Sequence, residues 1–320
     1  MILFTADWHI KLGQKNVPRD WAVNRYRMFF QQLEAIEETG DVSLHIVGGD
    51  LFDRLPNMEE LELYFEWVSG VTVPTIVFDG NHEATKKNHT FFDQLKQATS
   101  KINPLVTVIT ESYVDEELGF GILPYADLHK KDAIENFFCE CLFTHVRGEI
   151  PPHVKPEIQL ERFDRFKVVF AGDLHAHSNT QRNIVYPGSP MTTSFHRNEV
   201  TTGFLLIDES DWSWTWKEFD LPQLIRKTVR KPEEMIPTQF HHTIYEIEGD
   251  IQELAAISNS DLLDKKVVKR ASEATLVLEK DATIEEELVE YLTYILELNE
   301  DRIPQIIGTF NDYASKVEME

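Results

Sequence analysis

Asp7-Trp8-His9, Gly49-Asp50-Leu51-Phe52-Asp53, Gly80-Asn81-His82-Glu83 and Asp173-Leu174-His175-Ala176-His177 gather carboxylates, imidazoles and a carboxamide into four short clusters. Aspartate, asparagine and histidine are the donors of divalent-metal sites that mix oxygen and nitrogen ligands. Side chains two apart on an extended backbone point the same way, so Asp7 and His9 can reach one ion, and His175 can share a face with Asp173 or with His177. One Asp-x-His pair is common on any surface. Four such clusters, each directly after an apolar run, describe a two-metal phosphoesterase site. His145, isolated after Cys139–Thr144, joins them as a strand-end ligand candidate. Arg54 and His89 are candidate substrate contacts, and His45, His129, His153, His196, His241 and His242 read as bystanders.

These clusters need elements to hold them. Met1–Thr5, Leu44–Val47, Thr75–Phe78 and Val168–Phe170 are short apolar runs of the kind buried in parallel sheets. Open α/β sheets place ligands beyond the carboxyl ends of such strands. Amphipathic helices are expected at Trp21–Thr39, Met58–Trp67 and Thr90–Ala98, and further strands at Thr107–Thr110, Phe120–Leu123, Asn183–Tyr186 and Gly203–Asp208. The alternation runs to about Leu221 and predicts layered α/β architecture. Asp211–Trp216 alternates in strand period, placing three indoles on one face; packing in a core or against a neighbouring layer is favoured over a nucleic-acid stacking platform. A linker with Pro222, Pro232 and Pro237 precedes a smaller α+β module, with strands at Thr243–Glu248 and Ala274–Leu278 flanking a helix near Ile251–Ser258. Beyond Thr283, Leu288, Tyr291, Leu292 and Ile295, then Ile303, Ile306, Ile307 and Phe310, match two helical faces. Glu285, Glu286 and Glu287 suit the first turn of that tail, where negative charge meets the helix dipole.

D-W-H, G-D-L-F-D, G-N-H-E, His145 and the final G-D-L-H-A-H resemble the calcineurin-like metallophosphoesterases over the first two-thirds of the chain. Within that superfamily, G-D-L-F-D and Tyr186-Pro187-Gly188-Ser189-Pro190 resemble the SbcD-type DNA nucleases, especially the recombination endonuclease subunits of large bacteriophages. The resemblance implies a two-sheet αββα sandwich over residues 1–221, a small α+β capping domain over 222–281 and a helical tail over 282–320. It implies that Asp7 and His9 bind one metal, Asp50 bridges both, Asn81 and His145 bind the other, and His82 is left free for chemistry. The last cluster departs from the usual G-H-x-H, because Asp173 follows Gly172. Either Asp173 with His175 or His175 with His177 supplies the final ligands; the glycine anchor favours the first pair.

Physical chemistry supplies the mechanism for such a site. Two divalent ions about 3.5–4 Å apart can clamp a phosphodiester and activate a water. Asp50 suits the bridge because its two oxygens can serve two ions, and His82 can protonate the leaving oxygen or stabilise charge at the phosphate. Asp53 and Glu83 read as carboxylates orienting these histidines, with Asp53 equally readable as a helix N-cap or surface acid. The cofactors expected are two Mn²⁺ ions, with Mg²⁺, Fe²⁺ or Zn²⁺ as alternatives.

The leading functional expectation is the DNA exo/endonuclease subunit of an SbcCD-like recombination or end-processing complex. The resemblance implies as partners DNA, an SbcC-like ABC ATPase whose coiled-coil base would take the C-terminal tail where that tail does not fold back on the capping domain, and a second copy of the chain paired through the Trp21–Thr39 or Met58–Trp67 helix. A phosphoprotein phosphatase is the first alternative, since G-D-L-F-D-R and G-N-H-E also resemble that branch. Asp79 opposes it, standing where those phosphatases carry the arginine that a monoester's extra charge requires. A non-catalytic DNA-end-binding assembly subunit is the second alternative, opposed by the intact His82 and ligand set.

Composition sets the remaining bounds. With 320 residues, 42% hydrophobic and 11% aromatic, the chain can bury a full core and form two domains. No apolar stretch approaches the roughly 18 residues of a membrane span, which with two same-side cysteines, Cys139 and Cys141, suggests the cytoplasm, a bacterial host's if the protein is phage-encoded. Lys and Arg number 31 against 55 Asp and Glu, a formal charge of −24, which opposes phosphate binding unless basic surface is local. Lys11, Lys15, Arg19, Arg25 and Arg27 could be that surface, or a solvated loop and helix face.

Overall fold

The structure is a computed structural model and describes residues 1–86, 89–236, 238, 240–249, 254–258, 260, 262–267, 283–295, 298 and 302–317. The strands, in order, are β1 (Ile2–Thr5), β2 (Leu44–Gly48), β3 (Thr75–Phe78), β4 (Ala84–Lys86), β5 (His89–Thr90), β6 (Val106–Ile109), β7 (Tyr113–Asp115), β8 (Phe120–Leu123), β9 (Cys141–His145), β10 (Val168–Gly172), β11 (Ile184–Val185), β12 (Gly203–Ile207), β13 (Trp214–Glu218), β14 (Leu224–Val229), β15 (His242–Gly249) and β16 (Leu263–Val267). One sheet has the order β13-β12-β1-β2-β3-β6 and a second β11-β10-β9-β8-β7. In the first, β1, β2, β3 and β6 run parallel; in the second, β8, β9, β10 and β11 do.

Side-chain alternation sorts the strands' residues into layers. Ile2, Phe4, Leu44, Ile46 and Phe78 meet Phe120, Ile122, Phe143 and Phe170 between the sheets. The intervening Leu3, Val47 and Val77 pack under α1 (Arg19–Glu37), α2 (Met58–Gly70) and α3 (Phe92–Ile102). On the far side, Leu123, Leu142 and Val169 are covered by α4 (Tyr125–Leu128) and a 3₁₀ turn at Leu160–Arg165. This is the expected αββα sandwich, though its second helical layer is short and irregular. β14, β15 and β16 form a separate three-stranded sheet.

Several local expectations shift. Thr90 belongs to a hairpin strand, so α3 starts at Phe92. The three indoles do not share a strand face: Trp212 sits in a left-handed turn (φ 62°) and is buried in the inter-sheet core, and β13 begins at Trp214. The basic cluster is no continuous patch, because Arg25 is buried while Lys11, Arg19 and Arg27 pair with Asp53, Glu59 and Glu66. Ala274–Leu278 and the first residues of the Ile251–Ser258 helix lie outside the described residues.

The chain divides into two compact units, one of residues 1–248 and 256–266, the other of 249–255 and 267–320. Within the second, α5 (Ile284–Glu290) starts at a Thr283–Glu286 capping box. Leu292, Ile303 and Ile307 form a small apolar cluster with Leu288 there, joining α5 to α6 (Ile303–Val317). Among the described residues no helix is long and apolar enough to cross a membrane.

Candidate metal centre and active site

The centre lies where β1, β2, β3, β9 and β10 end. Asp7, His9, Asp50 and Asp173 leave their strands with positive φ of 57°, 47°, 49° and 102°, conformations that cost non-glycine residues energy and persist where surroundings over-determine them. Here the loops hydrogen-bond each other, through Asp7 N to Gly49 O (3.0 Å), His9 N to Asp50 O (2.9 Å) and Ile10 N to Leu51 O (2.8 Å). Glu83 fastens the loop after β3 to that after β2, accepting Asp50 N (2.9 Å), Phe52 N (2.9 Å) and Gly80 N (2.8 Å). Gly80 has to be glycine, since a Cβ there would overlap the Asp50 carboxylate.

Around this frame Asp7, His9 and His175 form one group of possible ligands, His9, Asp50 and His82 a second, and Asp7, Asp50 and His145 a third, the donor atoms within each group lying within 4.8 Å of one another. Nε2 of His9 is 3.0 Å from Nε2 of His175 and 3.7 Å from Asp50 Oδ2. His145 Nε2 is 3.5 Å from Asp50 Oδ1 and 3.0 Å from Asn81 Oδ1. Each histidine's other nitrogen, apart from that of His9, has a partner outside the cluster: Gly48 O for His145 (2.9 Å), Asp53 O for His82 (2.5 Å) and Thr193 Oγ1 for His175 (3.1 Å). A carbonyl partner fixes N–H at Nδ1 and leaves Nε2 as the donor toward the centre.

The electrostatics fit a bound cation. Asp7 and Asp50 are buried beside Asp173, and burial, with Asp50 and Asp173 adding, holds the Asp7 carboxyl well above its ordinary range. Burial also works against charge on Asp50, yet His145, His9 and His82 pull it down. His145 is raised despite its burial because Asp50, Asp7 and Asp173 surround it, whereas burial pushes His9 down to about 3 and lowers His175. Neutral imidazoles facing one another beside repelling carboxylates make a donor set that a divalent ion would complete. Among the described residues the buried Nδ1 of His9 has no hydrogen-bond partner, Asp53 Oδ1 lying 3.8 Å away, and the Asn81 amide oxygen faces His145 Nε2 and both Asp50 oxygens unless the amide is turned over.

A model of the calcineurin-like phosphoesterase family matches residues 1–165. The chain belongs to the calcineurin-like phosphoesterases. Members of this metallophosphoesterase family use divalent metals. This phosphoesterase is 40% identical over 325 residues to a protein of Escherichia phage T5 named probable exonuclease subunit 1, the match covering 98% of each. It is 24% identical over 231 residues to protein 244L of Invertebrate iridescent virus 6, named as a phosphoesterase, covering 64% of this chain and 75% of that one. Among solved structures, TT1561 of Thermus thermophilus aligns at a TM-score of 0.43 with 12% identity, over 68% of this chain and 97% of its own.

Within the phosphoesterase site, Asp7, His9, Asp50, Asn81, His82, His145 and His175 converge. His177 does not, as its Nδ1 bonds Tyr186 O (2.7 Å) and its ring stacks on Trp216 at 5.1 Å. The Asp173 carboxylate is at the edge, 3.9 Å from His145 Nε2, and pairs with Arg147. Asp53 orients His82 through its main-chain carbonyl, while its carboxylate pairs with Lys11 (2.7 Å). Arg54 is paired with Glu60, and His89 is exposed in the β4–β5 hairpin. Glu83 grips loops rather than histidines. Sequence reasoning passed over Tyr26, whose hydroxyl donates to His9 O (2.6 Å) and accepts from Lys11 N (3.1 Å), as well as Thr193 and Arg147. Arg147 alone carried a signal, standing two residues past the strand-end His145.

Proposed function

We propose that this phosphoesterase is a two-metal DNA nuclease subunit, acting in recombination or end processing with an SbcC-like ATPase in a bacterial cytoplasm. The observation that carries the reading is the convergence of four imidazole Nε2 atoms and the Asp7 and Asp50 carboxylates on strand-end loops, with His82 at its solvent side, 35% exposed. In this reading Asp7, His9, Asp50 and His175 hold one ion and Asp50, Asn81, His145 and Asp173 the other. Mn²⁺ suits that mixed oxygen and nitrogen set. Two such ions supply a nucleophile from bound water and neutralise charge on the phosphoryl oxygens.

The protein's own residues do the rest. His82, held through Nδ1 by Asp53 O, presents Nε2 to the substrate side, and as the doubly protonated imidazolium it would give its Nε2 proton to the departing oxygen. Asp53 is thus a positioning residue. Asp79 supports a diester substrate: it is buried and turned toward Ala126 N, so no cation precedes Gly80-Asn81 to clamp a dianionic monoester. The T5 relative's name, a subunit of an exonuclease, supports both the activity and its dependence on a partner. We assign residues 222–281 the role of a capping domain and residues 282–320 that of docking the ATPase. Exposed Ile284 and Tyr291 suit that contact, and pairing of two copies through α1 or α2 completes the proposed assembly.

The test is hydrolysis of end-labelled linear DNA and of p-nitrophenyl phosphate, with Mn²⁺, Mg²⁺ or chelator, by wild type and His82→Asn. Metal-dependent DNA cleavage should fall roughly 10²–10⁴-fold in the variant with metal binding retained. Monoester cleavage without DNA cleavage would replace the nuclease by a phosphatase.

A further inference from the structure

Arg147 stands outside every role assigned so far. It lies two residues beyond His145, the last residue of β9, in the loop that leaves the strand end. Its Nε and Nη2 donate to Asp173 Oδ2 and Oδ1, both at 3.2 Å. That same Oδ1 is 3.9 Å from His145 Nε2, leaving one carboxylate oxygen between the guanidinium and a candidate metal ligand. The backbone beneath is fixed: Arg147 N donates to Glu157 Oε1 (3.0 Å), Tyr125 Oη donates to Glu157 Oε2 (2.9 Å), and the Tyr125 ring meets His145 edge-on at 6.0 Å.

The pair is lopsided in a way an ordinary surface ion pair is not. Asp173 is only 6% exposed and strained, whereas Arg147 is 44% exposed, and its Nη1 has no partner among the described residues. One edge of the guanidinium is thus anchored at the cluster while the other faces solvent. An arginine fork is always charged and matches phosphate oxygens. Of the other cations close to the site, Lys11 pairs with Asp53 and Arg54 gives a single Nη2 bond to the buried Glu60, so neither is tied to the cluster's own carboxylates as Arg147 is. A carboxylate at position 173, where a neutral imidazole could not anchor a cation, accounts for the arrangement.

We propose that Arg147 forms a second phosphate subsite beside the metal centre, holding the phosphate that neighbours the scissile one along a polynucleotide strand. This rests on the nuclease reading and narrows it: the substrate is a chain, bound by more than its reacting phosphate. Arg147→Met and Arg147→Lys are compared with wild type on a single-stranded oligonucleotide and on bis(p-nitrophenyl) phosphate, a diester with no neighbouring phosphate. Binding of a fluorescein-labelled oligonucleotide in chelator, followed by anisotropy across a salt series, gives a readout independent of turnover.

The methionine variant should raise the oligonucleotide KM roughly 10- to 100-fold, the worth of a charge-assisted hydrogen bond, with a smaller loss on the small diester. The salt dependence of its binding should flatten by about 0.7 in log–log slope, one phosphate contact on a single strand. Lysine should restore the slope and only part of the affinity, since it keeps the charge without the fork. Equal losses on both substrates with an unchanged slope would overturn the subsite, leaving Arg147 as a counter-charge to Asp173. Wild type that cleaves the small diester but neither binds nor cleaves oligonucleotide would overturn the subsite and the nuclease reading together.

Discussion

Asp79 and Glu83 flank Asn81 and His82, and both are buried acids with opposite fortunes. Glu83 has three backbone N–H groups to accept, so although burial and the nearby Asp50 raise it to about 8, its carboxylate is well used. Asp79 accepts Ala126 N through Oδ2 (3.0 Å), but its buried Oδ1 has no hydrogen-bond partner among the described residues. Burial raises it from 3.8 to about 7. A carboxyl raised by folding contributes stability that is complete below its unfolded value and lost as pH rises through its folded one. Asp79 should therefore contribute a loss of stability between pH about 4 and about 7, and Asp79→Asn, which stays neutral, should remove that contribution from the pH dependence of the chelated protein. Urea unfolding at pH 5 and pH 8 measures it, and equal pH dependence in the two proteins would remove Asp79 as the cause.

At the scale of elements, α1 does more than cover a sheet. Tyr26 and Arg25, adjacent on that helix, reach different ligand loops, Tyr26 to His9 O and Lys11 N, Arg25 to Thr192 O (3.0 Å) beside the Thr193 that bonds His175. Their phenol and guanidinium are buried because the loops close over them. Tyr26→Phe takes the partner from the buried His9 carbonyl and from the part-buried Lys11 N–H, which should cost about 1–3 kcal/mol. Denaturant unfolding should show that loss, and calorimetric Mn²⁺ titration should show weaker binding. Full stability in the variant would mean that the loop holds its shape without the helix. The Trp21–Thr39 helix was legible from its 3.6-residue apolar period, yet that period says nothing about which polar side chains turn inward. Arg25 read as part of a basic surface or a solvated helix face for this reason, and is instead buried, 4% exposed.

For the whole molecule, the net charge of −24 and the repelling carboxylates at the centre point to the same dependence on cations. An ion that binds only the folded form stabilises by mass action, about 2.7 kcal/mol at a free concentration a hundredfold above its Kd. Adding Mn²⁺ to chelated protein should raise Tm by several degrees, and returning chelator should reverse it. A Tm that ignores Mn²⁺ would contradict the donor set described here. The acidic balance also explains why the basic residues near the first ligands do not form an open patch. With 55 acids to 31 bases, Lys11, Arg19 and Arg27 each find a carboxylate close by.

The candidate ligand clusters and the strands before them could be picked out in the sequence because both obey short-range rules: apolar runs bury, strand ends turn, and residues two apart share a side. That was enough to bring Asp7, His9, Asp50, Asn81, His82, His145 and His175 into view, and the layers of the sandwich with them. Local spacing could not choose between Asp173 and His177, since both lie two residues from His175. Tertiary structure separates them, because the Tyr186–Pro190 loop and Trp216 draw His177 away while Asp173 stays beside Asp7 and His145. The same holds for Trp212, Tyr26 and Arg147, whose partners lie far away in sequence or whose backbone turns left-handed. Contacts of that kind come from how loops of different strands close on one another, and no periodicity in a single stretch of chain records them.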